Sequence, residues 1–350
     1  MPHALTTITL LGLGTLAAFA AQALGLPLPF LMGPLLLSGT VAMALPTRLP
    51  DGYQFPPWLR LLFIAVIGLM IGAQVTPALF AQIPRLMLSL AALTLFVGVA
   101  HAFNYTVFRR LGAYDRATAF YAATPGGLFE SIAMGEEAGA DLARLTLQQF
   151  LRVIVVVTAL PLGLSLWLGE PVGSAGGMTL ARDAVPWQAL PGIAMAGLAG
   201  LTLGRVLRLP AKQLTGPMAV AALLSLTGVY PLDIPQWLVN VAQVVVGTAL
   251  GMRFTGLSRA LILRGAGLSL VSVTGMLILA ALCAEALYLT LGEPFDTMLI
   301  SFAPGGVTEM ALVALSLQAN PALVTLHHIW RILITVLGLS LTRRWLRRFL

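Results

Sequence analysis

The feature that most constrains the fold is a series of apolar stretches, of the length that crosses a bilayer, that recurs along the whole sequence. A span of about 30 Å of hydrocarbon needs roughly 20 helical residues. Charged residues make up only 9% of the chain, whereas soluble domains carry about 25%. The sequence therefore predicts an all-α polytopic membrane protein without a separate soluble domain. Examples of these stretches are residues 61–75, 86–108, 153–168 and 321–341.

The basic residues lie in short clusters between the apolar stretches, although the net charge of +7 could also suggest a nucleic-acid partner. Clusters in this position orient membrane proteins, so we interpret the charge as topological and expect no direct nucleic-acid binding. The one cysteine, Cys283, lies in an apolar stretch and excludes both a disulfide framework and a thiolate metal site. Residues 5–24 lack a positive n-region, which favours a mature transmembrane helix over a signal peptide.

An internal duplication organises the chain. Residues 125–152 align without gaps on residues 304–331, and 9 of the 28 positions are identical. Further matches upstream extend the repeat, so we predict a first membrane repeat (residues 1–168), a linker (169–185) and a second repeat with a short basic tail (186–350). The upstream pairs are Pro56 and Pro235, Trp58 and Trp237, Gly68 and Gly247, Gly72 and Gly251, Gly33 and Gly216, and Pro34 and Pro217.

Each half reads as an apolar helix, a second helix starting at Gly-Pro, a third after Trp, a fourth, a segment broken by Pro-Gly-Gly, and a last helix. The limbs of the first broken segment, residues 113–124 and 128–140, are each about half a bilayer long as helix. If this segment crossed the membrane, 10 of the Lys and Arg residues in loops would lie inside and 8 outside. If it is a re-entrant hairpin, 16 of them lie inside and 2 outside. The positive-inside rule favours the second arrangement.

We therefore predict two inverted repeats of five transmembrane helices, each with a re-entrant hairpin before the last helix. Both termini are then cytoplasmic, in the bacterial inner membrane. The Pro-Gly-Gly tips should meet near the midplane, as in secondary transporters. Each new half-helix presents free N–H groups that suit an anion, whereas the preceding carbonyls could hold Na⁺ or water. Alternatively, the tips merely let the hairpins turn. The predicted tip residues are Thr124, Pro125, Gly126, Gly127, Pro304, Gly305 and Gly306.

Four charged residues cannot be placed at span ends: Glu130, Glu309, Arg152 and Arg331. Ionisable groups at membrane depth are costly and are candidates for function. Each Glu precedes its Arg by 22 residues, so each half could pair the two side chains. In a transporter the Glu would carry the coupling cation and the Arg would bind a substrate carboxylate. In the alternative, a neutralised pair fastens the hairpin.

Polar residues precede each deep arginine by three or four positions, and some share its helix face. They are Gln148 and Gln149 in the first half, and His327 and His328 in the second. We interpret them as polar lining of the site. Adjacent histidines on a helix point about 100° apart and have no evident acidic or thiol partner, so we predict neither a metal site nor a cofactor.

The duplicated pattern resembles the AbrB family of duplicated bacterial membrane proteins, over nearly the whole chain. It comprises Pro-Gly-Gly followed by Glu130 or Glu309, Gly-Pro at a helix start in each half, and Arg152 or Arg331 downstream. The members of this family are labelled regulators of gene expression or ammonia monooxygenases. At the level of fold, the pattern is also similar to 2-hydroxycarboxylate-type secondary transporters.

The favoured function is a secondary active transporter of a small organic anion, coupled to H⁺ or Na⁺. Its partners would be the solute, the coupling cation and the lipid bilayer, with a homodimer as one option for assembly. A membrane sensor that acts indirectly on gene expression is the alternative. An enzyme is not predicted, because four histidines and one cysteine supply no convincing copper or iron site. The solute is not determined by the sequence.

Overall fold

The computed structural model is helical, and no strand occurs in the residues that it describes, which confirms the predicted all-α class. The predicted linker, residues 169–185, lies outside the described residues except at positions 169 and 172, and so do Arg347 and Arg348 of the basic tail. The structure describes residues 2–77, 83–169, 172, 189–209, 211–230, 232–255, 259–317 and 319–346.

The described residues form 14 α-helices, with short 3₁₀ turns at Pro46–Arg48 and Met252–Phe254. The first seven are α1 (Pro2–Ala23), α2 (Pro29–Ala44), α3 (Pro57–Ala73), α4 (Ile83–Arg110), α5 (Arg116–Ala122), α6 (Leu128–Glu137) and α7 (Leu142–Leu168). The next seven are α8 (Leu190–Val206), α9 (Lys212–Thr227), α10 (Gln236–Gly251), α11 (Arg259–Leu291), α12 (Phe295–Phe302), α13 (Val307–Ser316) and α14 (Pro321–Leu346).

The order of long and short helices repeats after α7. The short helices α5 and α6 have 7 and 10 residues, and their counterparts α12 and α13 have 8 and 10. Six helices of the described chain are long and apolar enough to cross a membrane, namely α1, α4, α7, α10 with its 3₁₀ extension, α11 and α14. The protein is thus of the multi-pass membrane type. The full count of ten spans stays a prediction, because α2, α3, α8 and α9 have only 16 or 17 residues.

The prediction that the second helix of each half starts at its Gly-Pro pair is wrong. Helix α2 begins at Pro29 and α9 at Lys212, each four residues before the glycine of the pair. The glycine instead serves a close helix crossing, because a Cβ atom on Gly33 would collide with the carbonyl of Ala17 in α1. The proline after it sits inside the helix, where its missing N–H removes one helical hydrogen bond.

The helices form two compact units, and each unit draws on both predicted repeats. The duplication is therefore a property of the sequence, whereas the packing combines helices from both halves. One unit comprises residues 1–80, 161–256 and 311–322, and the other, which we call the hairpin unit, comprises residues 81–160, 257–310 and 323–350.

In the first unit, repeat-related helices make the same contacts reciprocally: α2 packs on α10, and α9 packs on α3. Glycines allow both approaches, since a Cβ atom at any of four positions would collide with a backbone carbonyl of the facing helix. Such reciprocity is typical of two copies related by a two-fold axis. The colliding pairs are Gly68 with Leu214, Gly72 with Met218, Gly247 with Leu31, and Gly251 with Leu35.

We expect Gly72→Ala to destabilise the protein by about 1–3 kcal/mol, the usual cost of overpacking. The added methyl group would meet the Met218 backbone and lie 2.8 Å from the Cβ atom of Ala221, so α3 and α9 must separate. Gly98→Ala in α4 is the control, because a Cβ atom there meets nothing within 4 Å and removing a helical glycine stabilises slightly. Unfolding in mixed detergent micelles measures both, and equal stabilities would contradict the crossing.

Candidate functional site

The first Pro-Gly-Gly break lies in the hairpin unit, between α5 and α6. The side chain of Asp115 caps α5 by accepting a hydrogen bond from the Thr118 backbone N–H at 2.9 Å. Gly127, with φ of 61°, begins α6 in the left-handed conformation that glycine adopts without strain. Both limbs are shorter than the predicted ranges, residues 113–124 and 128–140. Helix α5 starts only after its cap, and α6 ends before Gly139, whose φ is 75°.

The two limbs fold back on each other. After α6 the backbone N–H of Asp141 donates to Oγ1 of Thr118, at the start of α5, over 2.7 Å. A Cβ atom on Gly135 in α6 would also lie 3.2 Å from Cβ of Tyr121 in α5. A continuous helix of 23 residues would separate its ends by about 34 Å. The segment is therefore a hairpin in its local geometry.

Side chains from α7 satisfy the carbonyls that this break exposes. Arg152 donates from Nη1 to the carbonyl oxygen of Thr124. Gln149 donates from Nε2 to the carbonyl oxygens of Tyr121 and Ala122, at 3.1 and 3.2 Å, and to Oγ1 of Thr124 at 2.8 Å. The end of a helix leaves its last carbonyls without helical partners, and these buried donors replace them. Arg152 is only 6% exposed.

The second break has the same arrangement at the equivalent positions. Arg331 of α14 donates from Nη1 to the carbonyl of Ala303 and from Nη2 to that of Gly305, the latter at 2.6 Å. Its Nη2 also bonds Nδ1 of His328 at 2.7 Å, and Nε2 of His328 bonds the carbonyl of Ile300 at 3.0 Å. Arg331 is 1% exposed. Arg331 and His328 thus occupy the places of Arg152 and Gln149.

The first tip lies against the second arginine. A Cβ atom on Gly126 would be 3.2 Å from Oγ1 of Thr335 and 3.4 Å from both Cγ and Nε of Arg331. The positive charges of Arg152 and Arg331 also act unfavourably on each other. Arg331 therefore bonds the carbonyls of its own break and lies beside Gly126 of the other break.

The two glutamates lie at the starts of their own helices. Oε2 of Glu130 is 3.5 Å from the position of a Cβ atom on Gly127, and the carboxylate of Glu309 lies against Gly306. Each is the third residue of its helix, where a carboxylate interacts favourably with the N–H groups of the first turn. The hydrogen bonds seen for the two guanidinium groups go to backbone carbonyls and, for Arg331, to His328. The predicted Glu–Arg pairs stay a prediction.

Several buried polar atoms around the tips have no partner within the part of the chain that the structure describes. They include Nε of both arginines, Oε1 of Gln149 and Oγ1 of Thr335. Buried polar atoms are nearly always hydrogen-bonded, so such a group indicates a place for water or a polar ligand. The carbonyls of Thr124 and Ala303 accept from guanidinium groups, and those positive charges disfavour the alternative of a Na⁺ site there.

Two other predicted lining residues point away from the tips. Gln148 donates to the hydroxyl of Tyr114 and the carbonyl of Gly265, and His327 bonds the Ser89 hydroxyl at 2.8 Å. Across the described residues, no group of three or more His, Cys, Asp or Glu side chains could hold a metal. Thr335 is a site residue that the sequence reasoning missed. Its signal was its position one helical turn after Arg331, on the same face.

Comparison with known proteins identifies relatives over most of the chain. The family described as "Transition state regulatory protein AbrB" matches residues 40–347. "Putative regulator AbrB" of Escherichia coli (strain K12) is 26% identical over 312 residues, which cover 89% of this chain and 88% of that protein. "Uncharacterized protein YhjN" of Bacillus subtilis (strain 168) is 23% identical over 339 residues, 91% of this chain and 87% of that protein.

Proposed function

This chain belongs to the AbrB family, and from its duplicated, membrane-type helical architecture we propose that it is a secondary active transporter of a small organic anion. In this proposal the chain lies in the bacterial inner membrane with both termini in the cytoplasm. Five helices of each half cross the bilayer, and the two hairpins enter it from opposite sides. The solute binds where the hairpin tips meet, and the chain carries out no chemical reaction.

The observation that carries the proposal is the pair of buried, repeat-related guanidinium groups at the tips. Arg152 is 6% exposed and Arg331 is 1% exposed. Within the described chain their partners are backbone carbonyls and the His328 ring, none of which neutralises a positive charge. A charge at membrane depth is unfavourable and is normally paired. An anionic solute is the partner that best offsets both charges.

The coupling cation is H⁺ or Na⁺, and Glu130 and Glu309 are its candidate carriers. Both lie beside the glycine that begins their own helix, next to the proposed solute site. Glu130 is exposed and Glu309 is half-buried. A carboxylate in this position can take up a proton or bind a cation as the solute binds. An inward ion gradient would then drive uptake of the anion.

The test is transport by the purified protein in liposomes, with an imposed H⁺ or Na⁺ gradient and a panel of mono-, di- and tricarboxylates. We expect a current or uptake that depends on one of the gradients and on at least one anion. Arg152→Gln should reduce it by at least about tenfold, the effect of losing one charge-assisted pair. Arg110→Gln, which removes an exposed arginine at the end of α4, is the matched control and should leave transport unchanged.

Absence of transport for every anion, under both gradients and in protein that remains folded, would reject the transporter. The second candidate, a membrane sensor, is favoured by the words "regulatory" and "regulator" in the matching family and the Escherichia coli relative. A sensor would bind the anion with the same dependence on Arg152 but would not exchange labelled for unlabelled anion across the liposome membrane. Counterflow therefore separates the two candidates.

A further inference from the structure

The two arginines of the tips are held very differently, although they are equivalent in the repeat. A guanidinium has five N–H donors. Arg331 uses three of them, on two carbonyls and His328. Arg152 has one hydrogen bond within the described chain, from Nη1 to Thr124. Arg331 is therefore a fixed charge, whereas Arg152 keeps most of its donors.

One part of the difference follows from a substitution between the halves, His328 for Gln149; the other is the bond of Arg331 to the Gly305 carbonyl. Nδ1 of His328 must accept from Arg331, because arginine has no acceptor. The proton then sits on Nε2, which donates to the carbonyl of Ile300 at 3.0 Å. Gln149 bonds the equivalent carbonyl, that of Tyr121, but donates its remaining bonds to Ala122 and Thr124 rather than contacting Arg152.

The free donors of Arg152 form a planar fork. Its Nε is buried without a partner among the described residues. Its hydrogen bond to Thr124 comes from Nη1, which leaves the edge formed by Nε and Nη2 to face a ligand. Two parallel N–H groups on one edge match the two oxygens of a carboxylate. Nε of Arg331 and Oγ1 of Thr335 are also buried without a partner in the part of the chain that the structure describes. Both lie within 3.4 Å of the position of a Cβ atom on Gly126.

Both groups border the first tip. Arg152 bonds the carbonyl of Thr124, and the open side of Gly126, two residues later, faces Arg331. Two residues of extended chain reach at most about 7 Å. The two cationic groups therefore adjoin one short stretch of chain, which they approach from different helices.

We propose that the anion of the proposed transporter is a short dicarboxylate. One carboxylate binds the Nε and Nη2 fork of Arg152, and the other binds Nε of Arg331 and the hydroxyl of Thr335. Two negative charges offset both cations, whereas a monoanion leaves one of them buried and unpaired. This inference rests on the proposed function.

The test compares probes of equal length but different charge, with the purified full chain and isothermal titration calorimetry. Succinate carries two charges, and succinamate and butyrate carry one. We expect succinate to bind at least about tenfold more tightly than succinamate, corresponding to one charge-assisted contact. Malonate and glutarate test the spacing, and hydrogen phosphate tests a compact dianion.

The variants test which residue binds each carboxylate of the ligand. Arg152→Gln removes one charge and should reduce the preference for succinate over succinamate to less than about threefold. Arg152→Lys keeps the charge but loses the fork, and should weaken succinate by about tenfold. Thr335→Val should weaken succinate by about three- to tenfold and leave butyrate unchanged. Arg110→Gln is the control for all of them.

The alternative outcomes separate this inference from the proposed function. If succinamate and butyrate bind as tightly as the dicarboxylates, the dicarboxylate assignment is overturned and the anion site remains. Tighter binding of phosphate than of every dicarboxylate also overturns it, in favour of a compact dianion. If none of these anions binds to folded protein, the proposed site and the dicarboxylate are both rejected.

Discussion

Arg331→Leu is expected to destabilise the protein by about 2–6 kcal/mol more than Arg152→Leu. The first change leaves three buried acceptors without a donor, namely the Ala303 and Gly305 carbonyls and Nδ1 of His328. The second leaves the Thr124 carbonyl. Each orphaned acceptor costs about 1–3 kcal/mol. Both variants also remove a buried cation. The stability gained by removing that charge is common to both and cancels in the comparison.

The measurement is the free energy of unfolding of each variant in mixed micelles, at one lipid and detergent ratio. The double variant Arg331→Leu with His328→Gln gives the coupling between the two side chains. We expect the double variant to be less destabilised than the sum of the single variants, because the bond between Arg331 and His328 is counted in both. Equal stability losses for the two arginine variants would contradict the unequal roles of Arg152 and Arg331.

Single cysteines at the entrances of the two hairpins are expected to label from opposite sides of the membrane. In a Cys283→Ala background, Arg116→Cys at the start of α5 should react with an impermeant reagent from the cytoplasmic side only. Asp296→Cys, at the start of α12, should react from the outer side only. The result is all or none, since a charged reagent does not cross the bilayer.

Labelling of both cysteines from the same side would instead place the two halves in parallel, and the inverted arrangement in the proposed function would be rejected. Cysteines at the tips, Gly127→Cys and Gly306→Cys, test a water path to the proposed site. They should react with small impermeant reagents and be protected by a bound anion. Cysteine at Gly98, far from the hairpins in sequence and facing no neighbour within 4 Å, is the control for lipid-exposed positions.

The names of the matching family and of the Escherichia coli relative refer to regulation, whereas we propose that the site binds an anion. The two statements are compatible if a regulatory effect is indirect. A protein that moves or senses a small anion changes its concentration or reports it, and a response elsewhere in the cell can follow. Counterflow in liposomes distinguishes movement from sensing without reference to gene expression.

The local sequence determined the helical class, the position of both broken segments and the burial of Arg152 and Arg331. Apolar runs set the helices, and Pro-Gly-Gly breaks them. Both arginines that fit no loop are buried, whereas Glu130, singled out by the same rule, is exposed. The prediction from the Gly-Pro pairs was wrong because local rules place a proline at a helix start, whereas here it is the sixth residue of α2 or α9. The glycine of each pair instead lies at a close crossing with the preceding helix, α1 or α8.

Only the tertiary structure decided what the buried groups contact. The sequence marked the two arginines as deep charges, but only folding shows that their guanidinium groups bond the carbonyls of the breaks. It also separated the roles of Arg152 and Arg331 through His328. The physical reason is that periodicity and composition are local, whereas a hydrogen-bond partner is selected by which distant groups are buried together.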